Sequence, residues 1–222
     1  MERLLKLSAR LELIAGYIEK DARVADIGAD HGFLPVYLAL RGLAHGVIAS
    51  DISSGSLASA RKTAEKYGVT DKITFITAPG LDGIGKEQVD IVVIAGLGGE
   101  TIAGIIQAAP WLSPPDHQLI LQPQSKMDVF CRRLAESGYA ILDASLTQER
   151  GRIYTVILAG AGDIPDGDPE MALYLLLVKK QDPLIETFLD ELIGKARRAA
   201  IGAGDSKRLE SLIKIKEEAS NW

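Results

Sequence analysis

The segment Asp26-Ile27-Gly28-Ala29-Asp30-His31-Gly32 decides the fold of this chain, because it joins a predicted strand to a predicted helix. Arg23–Ile27 is a short run that is typical of a β-strand, and Leu34–Leu43 has helical character. Gly28 and Gly32 favour a tight turn, since glycine has no Cβ and adopts backbone conformations that other residues avoid. A strand that turns directly into a helix is the first half of a β-α-β unit.

Further apolar runs predict more strands, and helical runs precede and separate them. The strands are expected at Val47–Asp51, Ile73–Ile76, Val89–Ala95 and Gln118–Gln122, and the helices at Arg3–Ile18, Ser53–Tyr67, Gly98–Ala109 and Lys126–Ser137. Ser53 is the expected N-cap residue of its helix. Two β-rich runs, Tyr139–Leu146 and Arg152–Ala159, follow without a helix between them. The pattern predicts an α/β fold: a Rossmann-like sheet of five parallel strands plus an antiparallel edge pair, an order that resembles that of class I methyltransferases.

The composition changes in a linker, Gly160–Pro169, where glycine, proline and aspartate cluster and the apolar periodicity stops. After it, Met171–Arg198 and Ser206–Ala219 are predicted to be two helices that are joined near Gly202–Gly204 and form a hairpin. We therefore expect a Rossmann-like domain at residues 1–162 and a C-terminal helical, coiled-coil-like extension at residues 163–222.

Composition narrows the class of protein. Hydrophobic residues make up 47% and charged residues 25% of the 222-residue chain, which argues against extended disorder. The single cysteine, Cys131, has no partner for an intramolecular disulfide. No run approaches the roughly 20 apolar residues of a membrane span, and charges interrupt the apolar residues at the N-terminus. We expect a cytoplasmic protein without membrane contact.

The formal net charge of −5 hides a basic region near the C-terminal end. Between Lys195 and Lys216 there are seven basic and two acidic residues. Such asymmetry is typical of a nucleic-acid contact on an otherwise acidic protein, although a solvated helix face has the same pattern. The sequence leaves both interpretations open.

The glycine spacing in the first turn separates two kinds of cofactor. A dinucleotide-binding turn has the pattern G-x-G-x-x-G, whereas here Asp30 stands where the middle glycine would be. S-adenosylmethionine has no pyrophosphate, so that glycine is not needed, and its ammonium group would favour a carboxylate such as Asp26. Asp51 follows Asp26 by 25 residues, close to the usual offset of a ribose-binding acid. The alternative for Asp51 is a solvated strand end.

Four blocks of sequence resemble the bacterial tRNA (adenine-22-N1)-methyltransferases of the TrmK type. They are Leu7–Leu11 (LSARL), Asp26–Pro35 (DIGADHGFLP), Ala95–Gly99 (AGLGG) and Leu121–Pro123 (LQP), and their order and spacing match over most of residues 1–160. A helical C-terminal extension is also usual in that family. The resemblance implies methyl transfer from S-adenosylmethionine to N1 of an adenine in the D-arm of tRNA.

Three positions depart from the family pattern. Leu97 replaces a methionine, and Gln124 replaces an asparagine after Gln122-Pro123. Ala78-Pro79-Gly80-Leu81 replaces a Gly-Asp/Asn-Gly-Leu turn, so the polar side chain that would bind the cofactor's adenine amino group is missing at Pro79. Recognition of that adenine is then expected to rest on backbone groups.

Position and resemblance together predict two sets of site residues. The cofactor-binding residues are expected to be Asp26, Gly28, His31, Gly32, Asp51, Ile52, Gly80, Leu81, Ala95 and Gly96. The substrate-binding residues are expected to be Arg10, Leu97, Gly98, Gly99, Gln122, Pro123, Gln124 and Tyr154, with Arg197, Arg198, Lys207 and Arg208 on the tRNA backbone. No metal site and no obligate protein partner are expected.

The predicted chemistry needs no activated side-chain nucleophile, because adenine N1 carries a lone pair. The methylated base is cationic until N6 loses a proton, and a nearby carboxylate would stabilise that charge. Asp30 is the catalytic candidate, with helix capping as the alternative role. For Tyr154 the alternative to stacking on the base is packing, and for Arg10 it is a surface position.

Two other functions stay open. The same core would serve a small-molecule methyltransferase, which the basic C-terminal region argues against. The missing polar side chain at Pro79 is also compatible with a non-catalytic RNA-binding protein that has a decayed cofactor site.

Overall fold

The computed structural model describes residues 5–203 and 206–220. Its strands are β1 (Ala22–Ile27), β2 (Ala44–Asp51), β3 (Ile73–Thr77), β4 (Ile91–Leu97), β5 (Gln118–Pro123), β6 (Ala140–Glu149) and β7 (Arg152–Gly160). Its helices are α1 (Ala9–Gly16), α2 (Phe33–Arg41), α3 (Ser54–Tyr67), α4 (Gly99–Gln107), α5 (Met127–Glu136), α6 (Pro169–Lys179), α7 (Ile185–Ala203) and α8 (Ser206–Ala219).

The strands form one sheet in the order β3-β2-β1-β4-β5-β7-β6. The first five strands of the chain pair in parallel, and β7 pairs antiparallel with both β5 and β6. The central strands are buried on both faces, which explains their nearly continuous apolar runs. The predicted sheet of five parallel strands and an antiparallel edge pair is confirmed.

The hairpin between β6 and β7 turns at two residues, Arg150 and Gly151. Glu149 pairs with Arg152, and the two residues between them have positive φ values of 50° and 76°. Positive φ at both central residues is the requirement of a type I′ turn, which matches the twist of the flanking strands. The turn holds the side chain of Arg150 exposed at the tip of the hairpin.

The start of α3 agrees with the sequence prediction, whereas the start of α1 does not. The predicted cap of α3 is confirmed, because Ser53 Oγ accepts a hydrogen bond from Ser56 N at 3.2 Å. Helix α1 begins at Ala9 rather than at residue 3. Leu5 and Leu7 are buried outside the helix, so their apolar spacing serves an irregular lead-in segment, and Leu4 lies outside the described residues.

The run predicted as one helix, Met171–Arg198, is two helices, α6 and α7. Pro183 separates them, because proline has no N–H and disfavours helical conformation in the residue before it. The Asp182 carboxylate accepts hydrogen bonds from the N–H groups of Leu184 (3.0 Å) and of Leu146 in β6 (2.8 Å), which fixes the break against the sheet. Helices α7 and α8 form the predicted hairpin, and part of its turn lies outside the described residues.

The C-terminal helices share the core of the sheet. One cluster of buried apolar side chains extends from Val92 and Leu119 in the sheet through Leu173 in α6 to Leu212 in α8. A domain boundary at residue 162 stays a prediction, and the exposed residues 163–168 follow it. Over residues 5–203 and 206–220, no helix combines the length and the apolar character that a membrane span requires.

An ion pair connects α6 to α8. Glu170 is 1% exposed, and its carboxylate accepts hydrogen bonds from Arg208 Nη2 (2.7 Å), Arg208 Nε (3.1 Å) and the Tyr174 hydroxyl (2.7 Å). Burial of Glu170 without a cation would be costly, and the Arg208 guanidinium compensates its charge within the fold. The prediction for Arg208 is corrected accordingly: it is a structural partner of Glu170 rather than a free phosphate contact.

Replacing Arg208 with methionine should lower the free energy of unfolding by about 3 kcal/mol, because Glu170 then stays buried and charged without a partner. Combining Arg208→Met with Glu170→Gln should recover much of that loss. Urea denaturation followed by circular dichroism measures both variants. A loss below about 0.5 kcal/mol for Arg208→Met would place the pair among ordinary surface ion pairs and contradict its structural role.

Candidate active site

The carboxyl ends of β1, β2, β4 and β5 meet at one edge of the sheet, which is where open α/β sheets bind ligands. Two clefts open there and share Arg10, Gly28, Asp30 and Ala95. The inner cleft, of about 590 Å³, extends to Asp51, to the turn after β3 and to the C-terminal end of β4. The outer cleft, of about 560 Å³, extends to α1 and to the β6–β7 turn.

Hydrogen bonds attach the loop after β1 to the end of β2. The N–H groups of Gly28 and Ala29 donate to the carbonyl oxygen of Ser50 at 2.8 and 3.0 Å. The Asp30 N–H donates to Asp51 Oδ2 at 3.1 Å. Gly28 has a φ of 77° and Asp30 a φ of 46°, so the chain turns twice through the left-handed region before α2 begins. The loop is therefore fixed across the neighbouring strand.

Asp26 lines the outer cleft and is only 7% exposed. Burial, and secondly the charge of Asp51, raise the pKa of Asp26 to about 7. None of the ion pairs among the described residues involves Asp26. A buried carboxylate without a cationic partner favours a ligand that brings a cation, such as an ammonium group.

Asp51 ends β2 and lines the inner cleft. Its Oδ2 accepts the Asp30 N–H and its Oδ1 accepts the Ser53 N–H (2.8 Å), which leaves each oxygen a further acceptor site. The carboxylate is therefore fixed and still able to accept two hydroxyl groups. Ile52 is 74% exposed beside it and, with Pro79, gives the same cleft an apolar surface for a flat ring.

Arg10 is fixed between the two clefts by three neighbours. Its Nη1 donates to Gln122 Oε1 at 2.8 Å, and its guanidinium carbon lies 5.5 Å from the centre of the Tyr154 ring. A Cβ at Gly96 would lie 3.1 Å from Nη1, so glycine there makes room for the arginine. Arg10 Nε is buried and has no acceptor among the described residues. Arg10 is thus an ordered cation that lines both clefts, not a surface arginine.

Gln122 and Tyr154 position Arg10. Gln122 is fully buried, and its Nε2 donates to the carbonyl oxygen of Pro123 at 3.1 Å, so both ends of the amide are used inside the protein. The prediction that Gln122 contacts an adenine edge is therefore wrong, and Pro123 is buried as well. The exposed side chain of Gln124 lines the inner cleft and keeps the predicted position.

Three other predicted contact residues occupy packing positions. A Cβ at Gly32 would lie 2.7 Å from Ala60 Cβ, and a Cβ at Gly99 would lie 2.7 Å from Phe130 Cβ, so both glycines let two helices approach closely. Leu81 is 5% exposed and belongs to the core. These predictions are corrected: the three residues support the site from the core side.

The remaining predicted residues near the strand ends line the two clefts, with one exception. The inner cleft is lined by Gly28, Asp51, Ile52, Gly80, Ala95, Gly96, Leu97 and Gln124, and the outer cleft by His31. Gly98 is the N-terminal cap residue of α4 and contributes no lining to either cleft.

Asp30 lines both clefts, and its side chain is 66% exposed. The alternative role, capping of α2, is not observed: the cap residue is Gly32, and no side chain bonds the first turn. The imidazole of His31 lies beside Asp30, with Nε2 at 3.7 Å from Asp30 Oδ2. The Asp30 carboxylate is therefore available to a ligand in either cleft.

The basic C-terminal residues lie apart from both clefts. Arg197 and Arg198 are exposed on α7, and Lys207 is exposed on α8. Their position on the surface of the helical hairpin is compatible with contact to a large substrate and equally with a solvated face.

Several cleft residues were missed by sequence reasoning. Lys6, Phe33, Glu149 and Arg150 line the outer cleft, and Glu149 Oε2 accepts the Arg10 N–H at 3.4 Å. The hairpin tip was recognisable as a turn, but its placement beside α1 depends on β7 lying between β5 and β6. Among the described residues, no group of three or more His, Cys, Asp or Glu side chains is arranged to hold a metal ion.

Comparison with known proteins agrees with this geometry. Residues 7–157 match the family described as a methyltransferase domain. The chain is 40% identical over 159 residues to the tRNA (adenine(22)-N(1))-methyltransferase of Bacillus subtilis (strain 168), covering 72% of this chain and 67% of that protein. The chain is therefore a protein of the methyltransferase class.

Solved structures give the particular family. The crystal structure of the B. subtilis M1A22 tRNA methyltransferase TrmK superimposes with a TM-score of 0.80 at 31% identity, covering 98% of this chain and 99% of that one. Streptococcus pneumoniae Sp1610, solved in complex with S-adenosyl-L-methionine, superimposes with a TM-score of 0.81 at 28% identity, covering 97% and 99%. The chain belongs to the TrmK family of methyltransferases.

Replacing Asp26 with asparagine should change the pH dependence of stability. Folding raises the pKa of Asp26 from 3.8 to about 7, so the folded state binds this proton more tightly and the free energy of unfolding should fall between about pH 4 and 7. The Asp26→Asn variant has no carboxyl group at this position and should not show that fall. Its free energy of unfolding, measured relative to that of the native protein, should therefore be roughly 2–4 kcal/mol higher at pH 8 than at pH 4.

Urea denaturation at pH 4 and pH 8 measures this difference, with the exposed Asp71→Asn variant as control. An Asp26→Asn effect of equal size at both pH values would contradict the raised pKa.

Proposed function

We propose that this protein transfers a methyl group from S-adenosylmethionine to N1 of adenine 22 in the D-arm of tRNA. The observation that carries the proposal is a pair of carboxylates at adjacent strand ends of a TrmK-family chain: the buried Asp26 and the hydrogen-bonded Asp51. The B. subtilis relative is named for this reaction.

The residues at the strand ends fit the groups of the cofactor. Asp26 offers a buried carboxylate to the ammonium group, and Arg10, which lines both clefts, offers a guanidinium charge to the carboxylate at the same end. Asp51 offers two acceptors to the ribose hydroxyls. Ile52 and Pro79 offer apolar contact to the adenine ring, whose edge must bind backbone groups because this turn lacks a polar side chain. When bound, the cofactor supplies the electrophilic methyl group.

The protein's task towards the substrate is placement and exclusion of water, because adenine N1 is already a nucleophile. The base must first leave the stack of the tRNA to reach a cleft. The strand end at Gly96-Leu97 lacks bulky polar side chains and leaves room for a flat ring in the inner cleft. The exposed amide of Gln124 offers a donor and an acceptor to the edge of that ring.

Asp30 provides the negative charge that the methylated base requires. The base is cationic after transfer, and a carboxylate beside N6 stabilises that charge and accepts the N6 proton. Asp30 lines both clefts with an exposed carboxylate that makes no helix cap. We assign it this role within the proposed reaction.

The proposed substrate also gives the basic hairpin a role. Arg197, Arg198 and Lys207 are exposed on α7 and α8, and we assign them to phosphates of the tRNA. Such contacts release counterions, so tRNA affinity should fall steeply with salt. A tRNA substrate is in keeping with a cytoplasmic location.

The test of the proposal is incubation of the purified protein with methyl-labelled S-adenosylmethionine and an unmodified tRNA transcript, followed by nucleoside mapping. We expect 1-methyladenosine at position 22 and no label in a transcript with guanosine there. Label at another base would contradict the position. Label only on small molecules, or cofactor binding without transfer, would contradict the reaction and favour the two other functions.

Replacing Asp30 with alanine should lower kcat by about 100-fold while the Kd for S-adenosylmethionine stays within about twofold. Asp30→Asn should have a similar effect, because asparagine tolerates the positive φ of 46° and removes only the charge. Single-turnover methylation and isothermal titration calorimetry measure the two quantities. An unchanged kcat would remove Asp30 from the chemistry, and a parallel loss of cofactor affinity would make it a cofactor contact.

A further inference from the structure

The outer rim of the outer cleft carries an exposed aromatic side chain. Phe33 is the first residue of α2, follows the left-handed cap residue Gly32, and is 44% exposed. Of the other three phenylalanines, Phe130 and Phe188 are buried and Phe75 is half-buried. The exposure of Phe33 therefore departs from the packing of the same residue type elsewhere in the chain and leaves an apolar ring at the mouth of the site.

Aromatic and cationic groups surround that ring. The His31 ring lies 5.8 Å from the Phe33 ring at an interplanar angle of 40°. Lys6, before α1, and Arg150, at the tip of the β6–β7 hairpin, line the same cleft with exposed side chains. Glu149, the nearest acid along the chain to Arg150, is turned towards the N–H of Arg10. The rim thus combines a flat apolar surface with two cations from separate elements.

We propose that this rim, defined by Lys6, Phe33 and Arg150, binds the nucleotide next to the target adenine. Its base stacks on Phe33, and its flanking phosphates lie against Lys6 and Arg150. The inference rests on the proposed function, since it requires an RNA substrate whose target base has been extruded. It adds a subsite for a neighbouring nucleotide, separate from the cofactor and target positions.

Extrusion of a base from the stack is the reason to expect such a subsite. When a base leaves a stack, its neighbour loses a stacking partner, and an aromatic side chain that replaces the partner lowers the cost of extrusion. Stacking on an aromatic residue contributes about 1–3 kcal/mol per base and tolerates any base. Each phosphate contact adds an electrostatic contribution that salt weakens. Phe33, Lys6 and Arg150 together provide both contributions at the rim of the outer cleft.

The test measures binding without turnover, using an unmodified tRNA transcript and the full chain saturated with S-adenosylhomocysteine. Phe33→Ala should weaken tRNA binding by roughly 10-fold, and Phe33→Trp should retain it, because stacking needs only a flat ring. Lys6→Ala and Arg150→Ala should each reduce the slope of log Kd against log salt by about 1. Matched controls are Leu142→Ala, another exposed apolar side chain, and Lys62→Ala on α3.

Calorimetry with S-adenosylmethionine separates the rim from the cofactor site, since none of these variants should change the cofactor Kd. Equal tRNA affinity for native protein, Phe33→Ala and Phe33→Trp would overturn the stacking role, and unchanged salt slopes would overturn the phosphate role. A parallel loss of cofactor affinity would also overturn the subsite. Failure of the proposed function appears differently, as a native protein that binds tRNA but leaves adenine 22 unmethylated.

Discussion

The site depends on the hydrogen bonds that attach the loop after β1 to the end of β2. Gly28 and Ala29 bond to Ser50, and Asp30 bonds to the carboxylate of Asp51. The carboxylate that fixes the loop also lines the inner cleft, so a ligand bonded to Asp51 would be positioned by the same group that fixes the loop. The same bonds hold Asp30 in a left-handed conformation, and its side chain makes no cap for α2.

A second constraint comes from outside the sheet core. Arg10 on α1 reaches the strand ends and is held by Gln122 of β5 and Tyr154 of β7. These contacts need β7 to pair with β5, so the antiparallel edge of the sheet contributes to the position of Arg10. Gly96 completes the arrangement, since a side chain there would crowd the guanidinium. The parallel strands and the antiparallel edge of the sheet therefore both contribute to the site.

Much of this could be predicted from sequence, because local pattern determines strands, turns and strand-end acids. The order of elements, the Ser53 cap and the positions of Asp26 and Asp51 follow from periodicity and spacing. Burial of Gln122 could not be predicted, because nothing in the neighbouring sequence indicates that this amide bonds to the distant Arg10. The pairing of Arg208 with Glu170 joins residues far apart in the chain, and charge counting alone favours a free cation.

The central claim is that Asp26 binds the amino group and Asp51 the ribose of one cofactor. A crystal structure of this protein with S-adenosylhomocysteine tests it most directly. The account predicts that both ribose hydroxyls lie within about 3 Å of the Asp51 carboxylate and that the amino group bonds to Asp26 directly or through one water. A cofactor whose ribose contacts neither oxygen of Asp51, or whose amino group lies away from Asp26, would contradict it.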